Sequence, residues 1–290
     1  MMRLKPSLKI SARLAPLFSL IICLNLTGCQ KPIEPTYKEE DIPYFVKRIC
    51  KEEYGLDVTT KRTPTTLWIY APLNKILHKE FGIKEDKLFD EEISDKLRNI
   101  FTTIGRVLIS SNKTPEFFAL LASDINIGLD YTIIGNTLDI KKSYADFIPW
   151  TEANRRYVVK LKMEPKAVGD STGRHLQAYD VKMPDFLSEQ MAQRIGAQFQ
   201  NEERKKYFKV EKSEGKFINN TFVLDYYLTQ ISKPDTEIDI RKEILNIITY
   251  CIKTYNFKDF SMIEINDLAK QDKVILSRAA IWAKIGRAHV

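Results

Sequence analysis

The densest collection of groups able to do chemistry lies between Glu164 and Asp180, in the run Glu-Pro-Lys-Ala-Val-Gly-Asp-Ser-Thr-Gly-Arg-His and, just beyond it, Tyr179-Asp180. His175 can act as a base oriented by Asp170 or Asp180, with Ser171 as the nucleophile it activates. Gly169 and Gly173 free the backbone for an anion-binding turn, and Arg174 adds a bidentate donor. The spacing follows neither a G-x-S-x-G elbow nor a phosphate loop. A surface loop after a strand also gathers Gly, Ser, Asp and Lys for turn formation alone, and the simpler reading makes His175 the hydrogen-bond partner of a nearby carboxylate.

A second cluster, Trp150-Thr-Glu-Ala-Asn-Arg155-Arg156-Tyr157, places an aromatic ring beside two guanidinium groups, a pattern that can stack on a sugar or peptide or recognise a carboxylate. Otherwise Trp150 and Tyr157 are core or boundary aromatics and the arginines are ion-paired or solvated. Asp124, Asp130 and Asp139 alternate with apolar residues and read first as a wet strand face. His78, beside Lys79 and Glu80, reads as part of a solvated helix face. Cys50 and Cys251 sit in apolar helical patterns, as small buried thiols or as a disulfide pair. Two distant cysteines have no ligand spacing, so no metal is expected, and no cofactor motif is present.

The elements that must position these groups follow from periodicity. Phe45, Ile49 and Cys50 recur at helical spacing up to Gly55, and Ile93 to Leu108 forms one apolar stripe after Asp90, so helices are expected there and over 91–109. Thr65–Tyr70 reads as a strand closed by Pro72, with a helix from about Leu73 to Glu80 after it. Thr114-Pro115-Glu116 has the signature of a short helix start. Alternation from Ile125 to Ile133 predicts a strand, turned back at Gly135-Asn136 into 137–140 as a hairpin. Val159, Leu161 and Met163 alternate again. A helix is expected from Pro184 to about Lys206, a strand around Phe222–Tyr226, a helix over 240–252, and strands near 260–265 and 273–276. This mixed order predicts an α+β fold with mixed helices and an antiparallel or mixed sheet, with no internal repeat and a potential subdivision near 165–183.

Upstream, four basic residues, Arg3, Lys5, Lys9 and Arg13, precede an apolar stretch from Leu14 to Leu26, the charge and length pattern of a secretory leader. It ends in Leu26-Thr27-Gly28-Cys29. These residues resemble the bacterial lipoprotein signal, a match confined to about a tenth of the chain that fits every position of the lipobox. The resemblance implies cleavage before Cys29, lipidation of its thiol, and anchoring in the lipid bilayer on the extracytoplasmic side. Gln30 resembles the pattern of outer-membrane lipoproteins, facing the periplasm where the host has two membranes. Residues 1–28 are then leader, 29–43 lipidated cysteine and proline-rich tether, and 44–284 the folded domain. Residues Ile285–Val290 read like the translation of a sequencing adapter, which would put the natural end of the protein beyond Lys284.

Setting the leader aside lowers the formal net charge from +7 to about +3, with Lys and Glu interspersed, so no nucleic-acid partner is expected. The function expected is that of a membrane-anchored envelope lipoprotein with a structural or protein-binding role. The alternatives are an envelope hydrolase using the 170–180 loop and a small-ligand or glycan binder.

Overall fold

The computed structural model describes residues 35–77 and 89–287, and the described residues from Tyr37 onward fall in one compact unit. Cys29 and His78 lie outside the described residues. The fold is α+β, as the element order predicts, and is built on two mixed sheets.

The first half runs α1 (Ile42–Tyr54), β1 (Thr59–Arg62), β2 (Thr66–Leu73), α2 (Glu91–Ile109), β3 (Phe117–Asp124) and β4 (Leu129–Asn136). Two short helices, α3 (Thr137–Tyr144) and α4 (Trp150–Arg155), and the edge strand β5 (Val158–Met163) complete it. The second half runs α5 (Met183–Gln200), β6 (Phe208–Ile218), β7 (Thr221–Gln230), α6 (Ile240–Tyr255), β8 (Met262–Asp267), β9 (Asp272–Ser277) and α7 (Arg278–Arg287). Strand orders are β1-β2-β3-β4-β5 and β6-β7-β8-β9. In each sheet the parallel pair, β2/β3 or β7/β8, is bridged by the helix between its strands, and the flanking pairs are antiparallel. A helix, an antiparallel pair, a crossover helix and a second antiparallel pair thus occur twice. The repeat is one of topology, and side-chain identity does not carry it.

Each half has its own core. Ile49 and Cys50 of α1 and Ile100, Ile104 and Leu108 of α2 pack on Leu67, Ile69, Leu120 and Ile133 of the first sheet. Leu187, Ile195 and Phe199 of α5 and Ile244, Ile248 and Cys251 of α6 pack on Phe222, Leu224 and Ile263 of the second. Cys50 and Cys251 therefore lie in different cores as free, buried thiols, and burial pushes the Cys251 thiol up to about 12. The opposite face of the first sheet is also covered: Trp68, Tyr70, Phe117 and Val158 pack against Leu176, Val181 and Phe186.

Several expectations are corrected. Leu73 ends β2, residues 74–77 are not helical, and the remainder of that expected helix lies outside the described residues. Pro72 stands within β2, where β1 no longer pairs, so its missing N–H disrupts no ladder on that side. Thr114-Pro115-Glu116 leads into β3, whose side chains are buried on both faces, so the run lacks the alternation of a half-exposed strand. Residues 125–128 turn, with Gly128 at φ 69°, and β4 starts at Leu129. Asn136 caps α3, accepting the Leu138 N–H, where a hairpin turn was expected. Helix α5 ends at Gln200, short of Lys206.

At Gly215, β6 runs tight against α5. A Cβ there would fall well inside van der Waals contact of the Ser188 carbonyl oxygen, which is backbone and has no rotamer to yield. Gly215→Ala is expected to cost about 2 kcal/mol of stability, read as a lowered urea midpoint. An unchanged midpoint would show that the strand and helix separate freely.

Candidate functional site

The segment 164–182 crosses the first sheet as a strap. The Trp68 indole donates to the Tyr179 carbonyl at 2.8 Å, the Lys61 ammonium to the Leu176 carbonyl at 3.1 Å, and the Val181 N–H to the Thr66 hydroxyl at 2.9 Å. Asp180 belongs to this fastening: its carboxylate accepts the Thr65 N–H and hydroxyl, both at 2.8 Å. The Thr63 hydroxyl first, and these two Thr65 donors with it, lower its pKa from the usual carboxylate value. It is not a partner of His175.

Asp170 and His175 do come together. The strap turns between them through Gly173 (φ 75°), where a Cβ would collide with the Tyr70 ring. One oxygen of Asp170 meets the ring Nδ1 of His175 at 2.7 Å and accepts its backbone N–H at 2.9 Å. The other accepts the Thr172 N–H and hydroxyl and the Gly173 N–H at 2.9–3.0 Å. Burial opposes the negative charge, yet the converging donors outweigh it and hold the Asp170 pKa far below the usual carboxylate range. The Tyr70 ring meets His175 edge-on and its hydroxyl donates to the Asp170 carbonyl. Burial, first, and the nearby carboxylates push the Tyr70 pKa up to about 12, against a bond to Ser123 that lowers it.

The far side of the imidazole faces two residues that the chain order did not associate with it. Nε2 lies 3.4 Å from a carboxylate oxygen of Asp130 on β4 and 3.5 Å from Ser123 Oγ on β3. Asp170, His175 and Ser123 thus stand in the order of an acid–base–nucleophile relay. Its second half is not set for attack: the Ser123 hydroxyl donates to Asp130, Ser123 is fully buried, and the His175 side chain is only 4% exposed. Ser171 is exposed and is not among the partners of His175, its N–H turning back to the Gly169 carbonyl at 3.1 Å. Arg174 points to solvent, 4.0 Å from Asp170, at the rim of a 300 Å³ depression lined by Lys166, Gly169, Asp170 and His175. Asp124 caps a turn, accepting the Ile76 and Asn126 N–H groups at 3.1 Å. Among the described residues, no group of three His, Cys, Asp or Glu is arranged to hold a metal ion.

The second cluster divides. Arg156 is buried, with Nη1 2.7 Å from Asp139, Nε 2.9 Å from Glu152 and Nη2 2.9 Å from the Tyr250 hydroxyl, while its carbonyl accepts from Gln190. Three of its five N–H donors are taken by groups of the same fold, and its burial keeps the guanidinium from a ligand in solvent. Asp139 is likewise buried, correcting the expectation of a wet face, as does burial of Asp130. Trp150 and Arg155 remain exposed, Trp150 with its ring edge against Tyr144 at 4.9 Å. Arg155 borders a groove of 400 Å³ together with Asn154, Gln193 and Gln198.

Comparison with known proteins returns no match to a family model, a curated sequence or a solved structure.

Proposed function

We propose that the chain is a lipid-anchored extracytoplasmic protein whose folded domain works by holding an envelope protein partner and does not turn over a substrate. The observation that supports this reading is the use of the His175 cluster. Both ring nitrogens face groups of the same fold, and the neighbouring hydroxyl is committed to Asp130. The cluster pins the strap across Trp68 and Tyr70, which is work of a structural kind. A hydrolase of the 170–180 loop would need Ser171 against the imidazole, and a binder at Arg156 would need a free guanidinium.

The lipid anchor rests on Leu26-Thr27-Gly28-Cys29 and the basic, apolar leader before it. No helix among the described residues is long and apolar enough to cross a membrane. Acylation would supply two or more chains at one point, enough for stable attachment. Metabolic labelling with a palmitate analogue is expected to mark the wild-type chain and not Cys29→Ala, which should leave the membrane fraction or keep its leader. Labelling that persists in Cys29→Ala would overturn the anchor.

A further inference from the structure

Phe147 is the most exposed large apolar side chain among the described residues, at 78%, and Trp150, three positions on, is 43% exposed. The backbone holds both outward. Helix α3 closes with a doubly bonded left-handed cap: the Asp146 N–H meets the Ser143 carbonyl at 3.2 Å, the Phe147 N–H meets Lys142 at 2.8 Å, and Asp146 sits at φ 56°. In such caps the residue in the place of Phe147 commonly folds back on the helix; here it projects. Two residues later the Pro149 carbonyl accepts the Glu152 and Ala153 N–H groups at 3.0 Å, fixing the start of α4. Phe147-Ile148-Pro149-Trp150 is therefore a short bridge between two anchored ends.

Its flanks carry more basic than acidic groups, with the exposed Asp146 beside Phe147 as an opposing charge. Lys141 and Lys142 stand in the last turn of α3 and Arg155 in α4, whereas the carboxylates of Asp139 and Glu152 are taken up by Arg156 and Arg194. The place where the tether enters is close. Tyr144 packs on α2 at Gly105, and Tyr37 pairs with the end of the same helix, its N–H on the Ser110 carbonyl at 3.1 Å. The two points are five residues apart along the helix and its cap, about 8 Å. The chain from Cys29 to Tyr37 can reach at most about 28 Å.

We propose that this aromatic knuckle seats in the interfacial layer of an anionic bilayer, the one holding the acylated Cys29, so that the domain lies with α3 and α4 against the lipid. The inference rests on the lipid-anchor reading. Trp and Phe favour the headgroup boundary, and neighbouring Lys and Arg are drawn to anionic lipid. A rigid projecting ring inserts without a large ordering cost.

The test uses the full lipidated chain in vesicles of phosphatidylethanolamine and phosphatidylglycerol with brominated acyl chains, which quench nearby tryptophan. Quenching of one emission component, lost in Trp150→Phe, is expected; buried Trp68 is the internal reference. Phe147→Ser should lower the ratio of docked to undocked protein roughly tenfold, and Lys141→Gln with Lys142→Gln by a similar factor. If the chain carries no lipid, the anchor reading fails. Lipidation with equal emission in brominated and plain vesicles overturns the knuckle alone, as does a protein that co-purifies with wild type and is released by Phe147→Ser.

Discussion

Replacing Arg156 by methionine is expected to remove about 3–5 kcal/mol of folding stability, a large share of what a domain of this size possesses. Arg156 lies where the two halves meet. Its guanidinium joins Asp139 of α3 and Glu152 of α4 to Tyr250 of α6, and its carbonyl receives Gln190 of α5. Tyr255 of α6 closes the network by donating to Asp139, and Arg194 of α5 reaches Glu152 at 3.3 Å. Burial opposes the Arg156 charge, but the two carboxylates and Tyr250 prevail and raise its pKa, so it stays charged at any working pH. Methionine fills much of the same space and supplies no charge, leaving the Asp139 carboxylate buried without its cation. The cost is therefore mostly that of the stranded partner, and Arg156→Met combined with Asp139→Leu should recover a substantial part of it. Urea unfolding of the single and double variants gives the coupling directly. A single variant within about 1 kcal/mol of wild type would show that packing alone holds the halves together.

That joint also shows which parts of the structure were legible beforehand. Helices with a clean apolar stripe, such as Ile93 to Leu108, declare themselves, because one face must meet a core and the other water. Strand β3 is apolar throughout, since both faces of the first sheet are covered, and with no alternation to read its proline-led entry looks like a helix start. Asn136 carries the same turn chemistry whether it reverses a strand or caps a helix; tertiary packing of Gly135 under Phe118 and Tyr157 selects the second. The Asp170–His175 pair was readable because its members stand five positions apart in one turn. Asp130 and Ser123 were hidden as partners because antiparallel β3/β4 pairing sets them opposite one another beneath a distant loop. The repeated topology left no trace in the residues, since many apolar side chains satisfy the same layer.

Asp170→Asn is the second large effect expected, a loss of about 2–4 kcal/mol, because it strikes the acceptor on which the strap closes. The amide retains one oxygen, able to serve either the Thr172 and Gly173 donors or the His175 N–H groups. Its NH₂ must then face donors on the other side, so buried N–H groups lose their partner. The pH dependence distinguishes this role from simple loss of packing. The folded pKa of Asp170 is depressed, so its contribution is complete above the unfolded value near 4 and is lost as pH falls towards the folded one. Wild type should therefore lose its advantage over Asp170→Asn by roughly 1.4 kcal/mol for each pH unit below about 4, while the difference stays level from there to neutrality. A gap that is equally wide at pH 3 and pH 7 would mean that the carboxylate charge does not hold the strap. Hydrogen exchange gives the location: in Asp170→Asn, protection should fall first at Val181 and Leu176, whose amides are closed by the strap, before the β2/β3 ladder beneath opens.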